Sequence, residues 1–341
     1  MTRKTVYNSI TSAEKLSLVN PDNLDLMEDF LEYLSSIDRS PATIKQYRAD
    51  LKIFWCWNLE HNKNKYFVDL KKREIAKFQN YAINTWGWSP KRTKRVKSVL
   101  SSLSNYIEDI LDDEIEDFKP IIRKIENPKD IAVREKSVIP DHLVELLLNT
   151  LVEKHKYEQA CAVAVAASSG MRKSELLQMK MSYFNEEHLK YEGLYETPKI
   201  RTKGHGKLGT PMEKYIMVDA KYYVDLWANQ REELGIECDD MFVVRNADDT
   251  DWIPRKNVDH WTKTFSHIIG MPFYFHALRH YVCTKLHKYN LPAPVIQEFF
   301  GWASADMMQI YNDLSAKDDF GKFFTKDGLV EGKTGNLSEV K

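Results

Sequence analysis

Residues 157–175 read YEQACAVAVAASSGMRKSE. From Ala160 to Ala167 the stretch is only Ala, Val and Cys, with no charged residue, so it reads as a buried helix. Gly170 ends it. A glycine there permits a sharp turn, and that turn would present the guanidinium of Arg172 at the floor of a pocket. Working outward, IPDHLVELLLNTLVEK (139–154) opens the same helical domain, and YETPKIRTKGHGKLGTPMEKYIMV (195–218) reads as two strands flanking a Gly-rich turn. Helices then resume to about residue 325 and a polar tail runs from Lys326 to Lys341.

The first third reads as a separate all-helical domain. Ser40-Pro41 and Ser89-Pro90 each place a capping hydroxyl before a proline suited to the first helical position. Behind the first lie Ile44, Tyr47, Leu51, Phe54 and Trp55 at helical spacing, and behind the second Val96, Val99, Leu100, Leu103 and Ile107. NLDLMEDFLEYLS (23–35) and DLKKREIAKFQNYAINT (69–85) also read as amphipathic helices. The polar stretch 125–137 is expected to be a linker. The expected organisation is an N-terminal extension (1–20), a helical domain (21–124), the linker, a second domain (138–325) and the tail (326–341). The fold class is mainly α with a small β-hairpin or sheet.

The bulk properties narrow the function classes. A chain of 341 residues is long enough for two domains with their own cores. No run approaches the ~20 apolar residues of a membrane span, and the first 20 residues lack the apolar core of a secretory signal. A cytoplasmic protein is expected. Cys56, Cys161, Cys238 and Cys283 are scattered, which argues against disulfides and a zinc site. The net charge of −1 gives no support to nucleic-acid binding, so that case rests on where the charge sits. Lys91, Arg92, Lys94, Arg95 and Lys97 open the helix after Ser89, beside Trp86 and Trp88, and EDILDDEIEDF (108–118) offsets them. A basic helix start suits phosphate, although such a run is more often a solvated face.

Three segments of the second domain carry the chemistry. They are Ser169–Glu175, HALRH (276–280) and FGWAS (300–304), with Tyr311 nine residues beyond Trp302. Two arginines and a histidine suggest an anionic centre, because guanidinium groups make two-pronged contacts with phosphate oxygens. His276 and Arg279 lie three apart and share a helix face. Attack on a phosphodiester builds extra charge on its non-bridging oxygens, and preorganised cations stabilise that state more than the ground state. Each piece alone is weak: His-x-x-Arg occurs by chance, and Tyr311 is one tyrosine among 17.

Together, GMRKSELLQM, HALRHYVCTKL and FGWASADMMQIYND resemble the tyrosine recombinase (phage integrase) family, in a two-domain form of the Cre/Xer type. That family's catalytic domain carries Arg, a hairpin Lys, His-x-x-Arg, His or Trp, and Tyr in this order. Residues 20–120 resemble its SAM-like core-binding domain. The resemblance implies a helical core-binding domain and a catalytic domain forming a C-shaped clamp on DNA. Arg172 and Arg279 would hold the scissile phosphate, and Tyr311 would attack it to give a 3′-phosphotyrosine. Lys203 would protonate the leaving 5′ oxygen, with Lys199 and Lys207 on the same hairpin left open. His276 would accept or share the tyrosine proton, and Glu175 would hold an arginine or histidine in place. Trp302 departs from the commoner His. An indole N–H donates one hydrogen bond and transfers no proton, so an electrostatic and packing role is expected. His280 would pack or support the helix.

Thr43, Lys45, Gln46 and Arg48 on one helix, with Lys91, Arg92, Lys94 and Arg95 on another, are the candidate DNA contacts, most of them to phosphate. No cofactor and no metal are expected, since a metal would duplicate the cations. The implied partners are double-stranded DNA with a specific core site, a homo-tetramer in the synaptic complex, and accessory DNA-bending proteins. Rival readings are strand cleavage without synapsis, as in a type IB topoisomerase or a telomere resolvase, a catalytically silent DNA-binding relative, and an unrelated helical interaction protein.

Overall fold

The computed structural model describes residues 10–129, 138–204, 206 and 209–302, together with the backbone of strands 324–325 and 328–329. It divides into two compact units, residues 1–135 with 203–209 and residues 136–202 with 210–341.

The first unit is helical: α1 (Ala13–Ser17), α2 (Pro21–Ser36), α3 (Pro41–His61), α4 (Lys72–Asn84) and α5 (Pro90–Ile110). Both Ser-Pro starts form as the local chemistry dictates. Ser40 Oγ accepts from the Thr43 N–H and Ser89 Oγ from the Arg92 N–H, with a proline in each first turn. The core is strongly aromatic. Phe54, Trp55 and Trp57 of α3 are buried, and the Phe54 and Phe78 rings meet edge to face at 4.9 Å between centroids.

One basic residue of α5 turns inward. Lys97 is 3% exposed, and its Nζ donates to Gln79 Oε1 at 2.8 Å and to the carbonyls of Ile125 and Glu126 at 2.9 and 3.0 Å. Lys97 therefore belongs to the interior rather than to a basic face. It also ties down residues 125 and 126, the start of the stretch read as a linker; residues 130–137 lie outside the described ones.

The second unit is organised on α7 (Tyr157–Ser169), which packs against α6 (Asp141–Glu153), α9 (Lys221–Glu233) and α11 (Phe275–Lys288). Ala160 to Ala167 are all buried, and Gly170 ends the helix in the left-handed region at φ +60°. Short α8 (Lys173–Leu176) follows, and α10 (Thr262–Ile269) and α12 (Ala293–Phe300) complete the described helices of this unit.

Where the sequence suggests two strands around a turn, residues 194–217 form four, with one more just before them. The antiparallel sheet β1 (Leu189–Lys190), β2 (Leu194–Glu196) and β5 (Tyr215–Met217) is continued by a separate pair, β3 (Ile200–Thr202) with β4 (Thr210–Met212). The break falls at Pro198, which has no N–H to offer the ladder. Beside it, Thr197 and Lys214 hold the strands together: the Thr197 N–H donates to the Lys214 carbonyl at 2.9 Å, and the Lys214 N–H donates to Thr197 Oγ1 at 3.0 Å.

The expectation of helix from here to about residue 325 is corrected by a further hairpin, β6 (Val243–Arg245) with β7 (Trp252–Pro254). Asn246 closes its turn by accepting from the N–H groups of Thr250 and Asp251. Further along, β8 (Phe324–Thr325) pairs antiparallel with β9 (Gly328–Leu329). The four cysteines carry free thiols. No described helix is long and apolar enough to cross a membrane.

Candidate functional site

The turn after α7 brings Arg172, Glu175 and Arg279 together. The Arg172 N–H donates to Glu175 Oε2 at 2.9 Å, and Arg172 Nη1 donates to Glu175 Oε1 at 2.8 Å. Glu175 is thus both the cap of α8 and the clamp on Arg172, and it is fully buried. Arg172 keeps 31% of its side chain exposed, so a buried carboxylate holds a guanidinium that still reaches solvent.

Arg279 arrives from α11. It is 2% exposed, and its Nη1 donates to the carbonyl of Gly170 at 2.9 Å, two residues before Arg172. The guanidinium carbon lies 4.6 Å from the Phe300 ring centroid and 5.5 Å from that of Trp302. These two rings stack on each other at 4.6 Å and 13°. Trp302 is 6% exposed, with the buried cation of Arg279 over its ring.

A residue that sequence reasoning passed over closes the ring. Lys214, 3% exposed, places its Nζ 4.0 Å from Glu175 Oε2. A Cβ at Gly301 would sit 3.5 Å from the same Nζ and would overlap the end of Met212. The signal was its spacing: Lys214 lies two residues before Ile216, the fully buried residue of β5, so the two share a strand face. Around the loop run Arg172, Glu175, Lys214, Gly301, Trp302, Phe300, Arg279 and Gly170.

His276 sits one turn before Arg279 on α11 and is exposed, its ring edge-on to that of nearly buried His280 at 4.9 Å. Lys203 is exposed in the turn between β3 and β4. Lys199 pairs with Glu213 at 3.8 Å, while Lys207 and Tyr311 lie outside the described residues.

The candidate DNA contacts fall into two groups. Lys45, Lys91 and Lys94 are exposed. Arg95 is exposed as well and pairs with buried Asp50 at 3.0 Å, while the rest are less exposed: Arg48 pairs with Glu28, Arg92 lies 4.4 Å over the Trp88 ring, and the Thr43 hydroxyl meets Ser40 Oγ at 2.8 Å. Gln46 is half-buried.

Gly170 is the joint on which both arginines depend. Its φ is left-handed, and a Cβ there would run into the Phe300 ring and lie 3.3 Å from Val282. Gly170→Ala is expected to cost about 2–4 kcal/mol from left-handed strain and overpacking, read as a lowered urea midpoint with an unchanged slope. An unchanged midpoint would show that the turn relaxes freely.

The turn thus gathers a buried arginine set against aromatic rings and a second arginine held by a buried carboxylate, and α11, which carries the first of them, also carries His276. The sequence profile of the phage integrase family matches residues 137–318, and that of the phage integrase N-terminal SAM-like domain matches residues 26–117. The chain belongs to the phage integrase family, the tyrosine recombinases.

Among its relatives is the SPbeta prophage-derived recombinase-like protein YomM of Bacillus subtilis (strain 168), 27% identical over 216 residues, which cover 62% of this chain and 63% of that protein. Tyrosine recombinase XerA of Pyrococcus furiosus is 24% identical over 295 residues, covering 86% and 91%. The fold is shared with XerH bound to a palindromic difH substrate in a post-cleavage complex, with a TM-score of 0.61 at 18% identity over 89% of this chain and 98% of that one. A lambda integrase dimer bound to a COC′ core site also has a TM-score of 0.61, at 17% identity over 85% and 94%.

Proposed function

We propose that the chain is a site-specific recombinase that cuts and rejoins duplex DNA through a 3′-phosphotyrosine at Tyr311. The observation that carries this reading is the pair of arginines organised by one turn. Arg279 is buried against Gly170, and Arg172, two residues beyond that glycine, is held by Glu175. Membership in the family and the fold shared with recombinases on DNA add to it.

In the proposed reaction the Tyr311 phenolic oxygen attacks the scissile phosphorus. Its proton passes towards His276, whose imidazole suits transfer near neutral pH. The bond to the 5′ oxygen breaks, and Lys203 protonates that oxygen. The phosphodiester energy is kept in the tyrosyl ester, so reversal by another strand's 5′-hydroxyl needs no ATP. Arg172 and Arg279 stabilise the charge on the non-bridging oxygens, and Trp302 supports Arg279 from beneath. The proposed partners are double-stranded DNA with a core site, three further copies of this chain in the synaptic complex, and accessory DNA-bending proteins; the proposed compartment is the cytoplasm.

The test is a duplex carrying the cognate site, nicked near the cleavage position so that the severed fragment diffuses away. A protein–DNA adduct through the 3′ phosphate is expected on a denaturing gel. Relaxation of supercoiled DNA by monomers without dependence on site would overturn the recombinase reading in favour of a topoisomerase.

The exposed lysines provide a separate check on DNA binding. Lys91→Ala with Lys94→Ala should weaken binding about equally for cognate and unrelated duplexes. The slope of log affinity against log salt should fall by about 1 for each phosphate the helix no longer neutralises. An unchanged salt slope would place the DNA elsewhere.

A further inference from the structure

Resting on that strand-cleavage reading, we infer that Lys214 is a positioning residue of the active site, a buried ammonium behind Glu175 that holds the carboxylate aimed at Arg172. Lys214 is 3% exposed, and an unpaired charge in such a place would be costly. The nearest anionic atom is Glu175 Oε2 at 4.0 Å, and that same oxygen accepts the Arg172 backbone N–H. The backbone of Lys214 is pinned on both sides by Thr197, so its side chain enters the ring from a fixed strand position. Gly301, one residue before Trp302, lies beside it: a Cβ there would be in ordinary contact with the Nζ at 3.5 Å, while the room the missing Cβ leaves is taken by the end of Met212. Its neighbours thus come from the α7–α8 turn, from α8, from α11 and from the end of α12.

The charge balance favours a role in the reaction over one in stability. The charged groups that act on Lys214 are Glu175, Arg279 and Arg172. Burial pushes its value below that of an ordinary lysine; Glu175 opposes the shift and the two arginines add to it. A folded value below the unfolded one means that the charged lysine costs stability at neutral pH, a cost relieved only as pH rises towards the unfolded value. A residue retained only for stability would be better apolar here. A phosphodiester arriving between the arginines changes the balance, because its negative charge offsets the repulsion among three cations. The ammonium then holds Glu175, and so Arg172, as charge grows on the phosphate oxygens.

The experiment compares wild type, Lys214→Met and Lys214→Arg on the nicked duplex, with thermal melting and non-covalent DNA binding measured on the same preparations. Lys214→Met should melt at or above the wild-type temperature and bind DNA within about twofold, yet form adduct about 10- to 100-fold more slowly. Lys214→Arg should recover part of the rate and hold it to higher pH than wild type, because a guanidinium keeps its proton where the buried lysine loses it. A Lys214→Met rate within twofold of wild type overturns the inference. So does a rate lost only in step with melting and regained at a temperature where both proteins are folded. No adduct from wild type overturns the strand-cleavage reading and this inference with it, whereas equal adduct from wild type and Lys214→Met overturns this inference alone.

Discussion

Tyr311→Phe should form no covalent adduct with the nicked duplex while still binding it. Phenylalanine keeps the ring and loses only the phenolic oxygen, so packing and charge are nearly unchanged and the nucleophile is gone. Water is then the remaining attacking group, and the rate of strand cleavage should fall by about 10⁴-fold or more. Binding should stay within about twofold, since phosphate contacts by basic side chains dominate affinity and none is altered. The readout is a denaturing gel with label on the strand that keeps its 3′ phosphate, set beside a native gel of the same mixtures. Tyr311 lies outside the described residues, so its assignment rests on its place nine residues after Trp302 and on the family pattern. An adduct that survives the substitution would assign the nucleophile to another of the 17 tyrosines.

The features legible in the sequence were those that act over a few residues. Ser40-Pro41 and Ser89-Pro90 start helices because hydroxyl and proline both work within one turn, and Gly170 ends α7 because a left-handed residue is needed there. Arg172 and Glu175 meet across one capping turn. Features set by the other side of the fold were less visible. Lys97 stands in a run of like charges, yet Thr93, Lys97, Leu100 and Ser104 form one buried face, and three polar groups meet its ammonium only in three dimensions. Lys214 reads as one more hairpin lysine until Ile216 shows which strand face points inward. The pair β6 and β7 was missed because three-residue strands give too short an alternation to read, and the turn chemistry of Asn246 carried the remaining signal.

Arg279→Ala should lower the cleavage rate by about 10²- to 10³-fold while leaving DNA affinity almost unchanged. A guanidinium carries five donors in a rigid plane, and here that plane is set by the Gly170 carbonyl and by the stacked rings of Phe300 and Trp302. Orientation is thus fixed before substrate arrives, the condition under which a cation helps the transition state more than the bound ground state. Affinity depends on many phosphates along the duplex, so one buried cation contributes little to it; the growing charge at a single phosphorus depends on this cation heavily. Arg279→Lys separates charge from geometry. Lysine keeps the charge but loses the fork and the flat face, and should still cleave at least about tenfold more slowly than wild type. Single-turnover adduct formation at saturating protein isolates that step from binding. If Arg279→Lys cleaved at the wild-type rate, the aromatic stack and the Gly170 bond would be holding a charge whose direction does not matter. If Arg279→Ala lost affinity as steeply as rate, Arg279 would act in gripping DNA rather than in the chemistry.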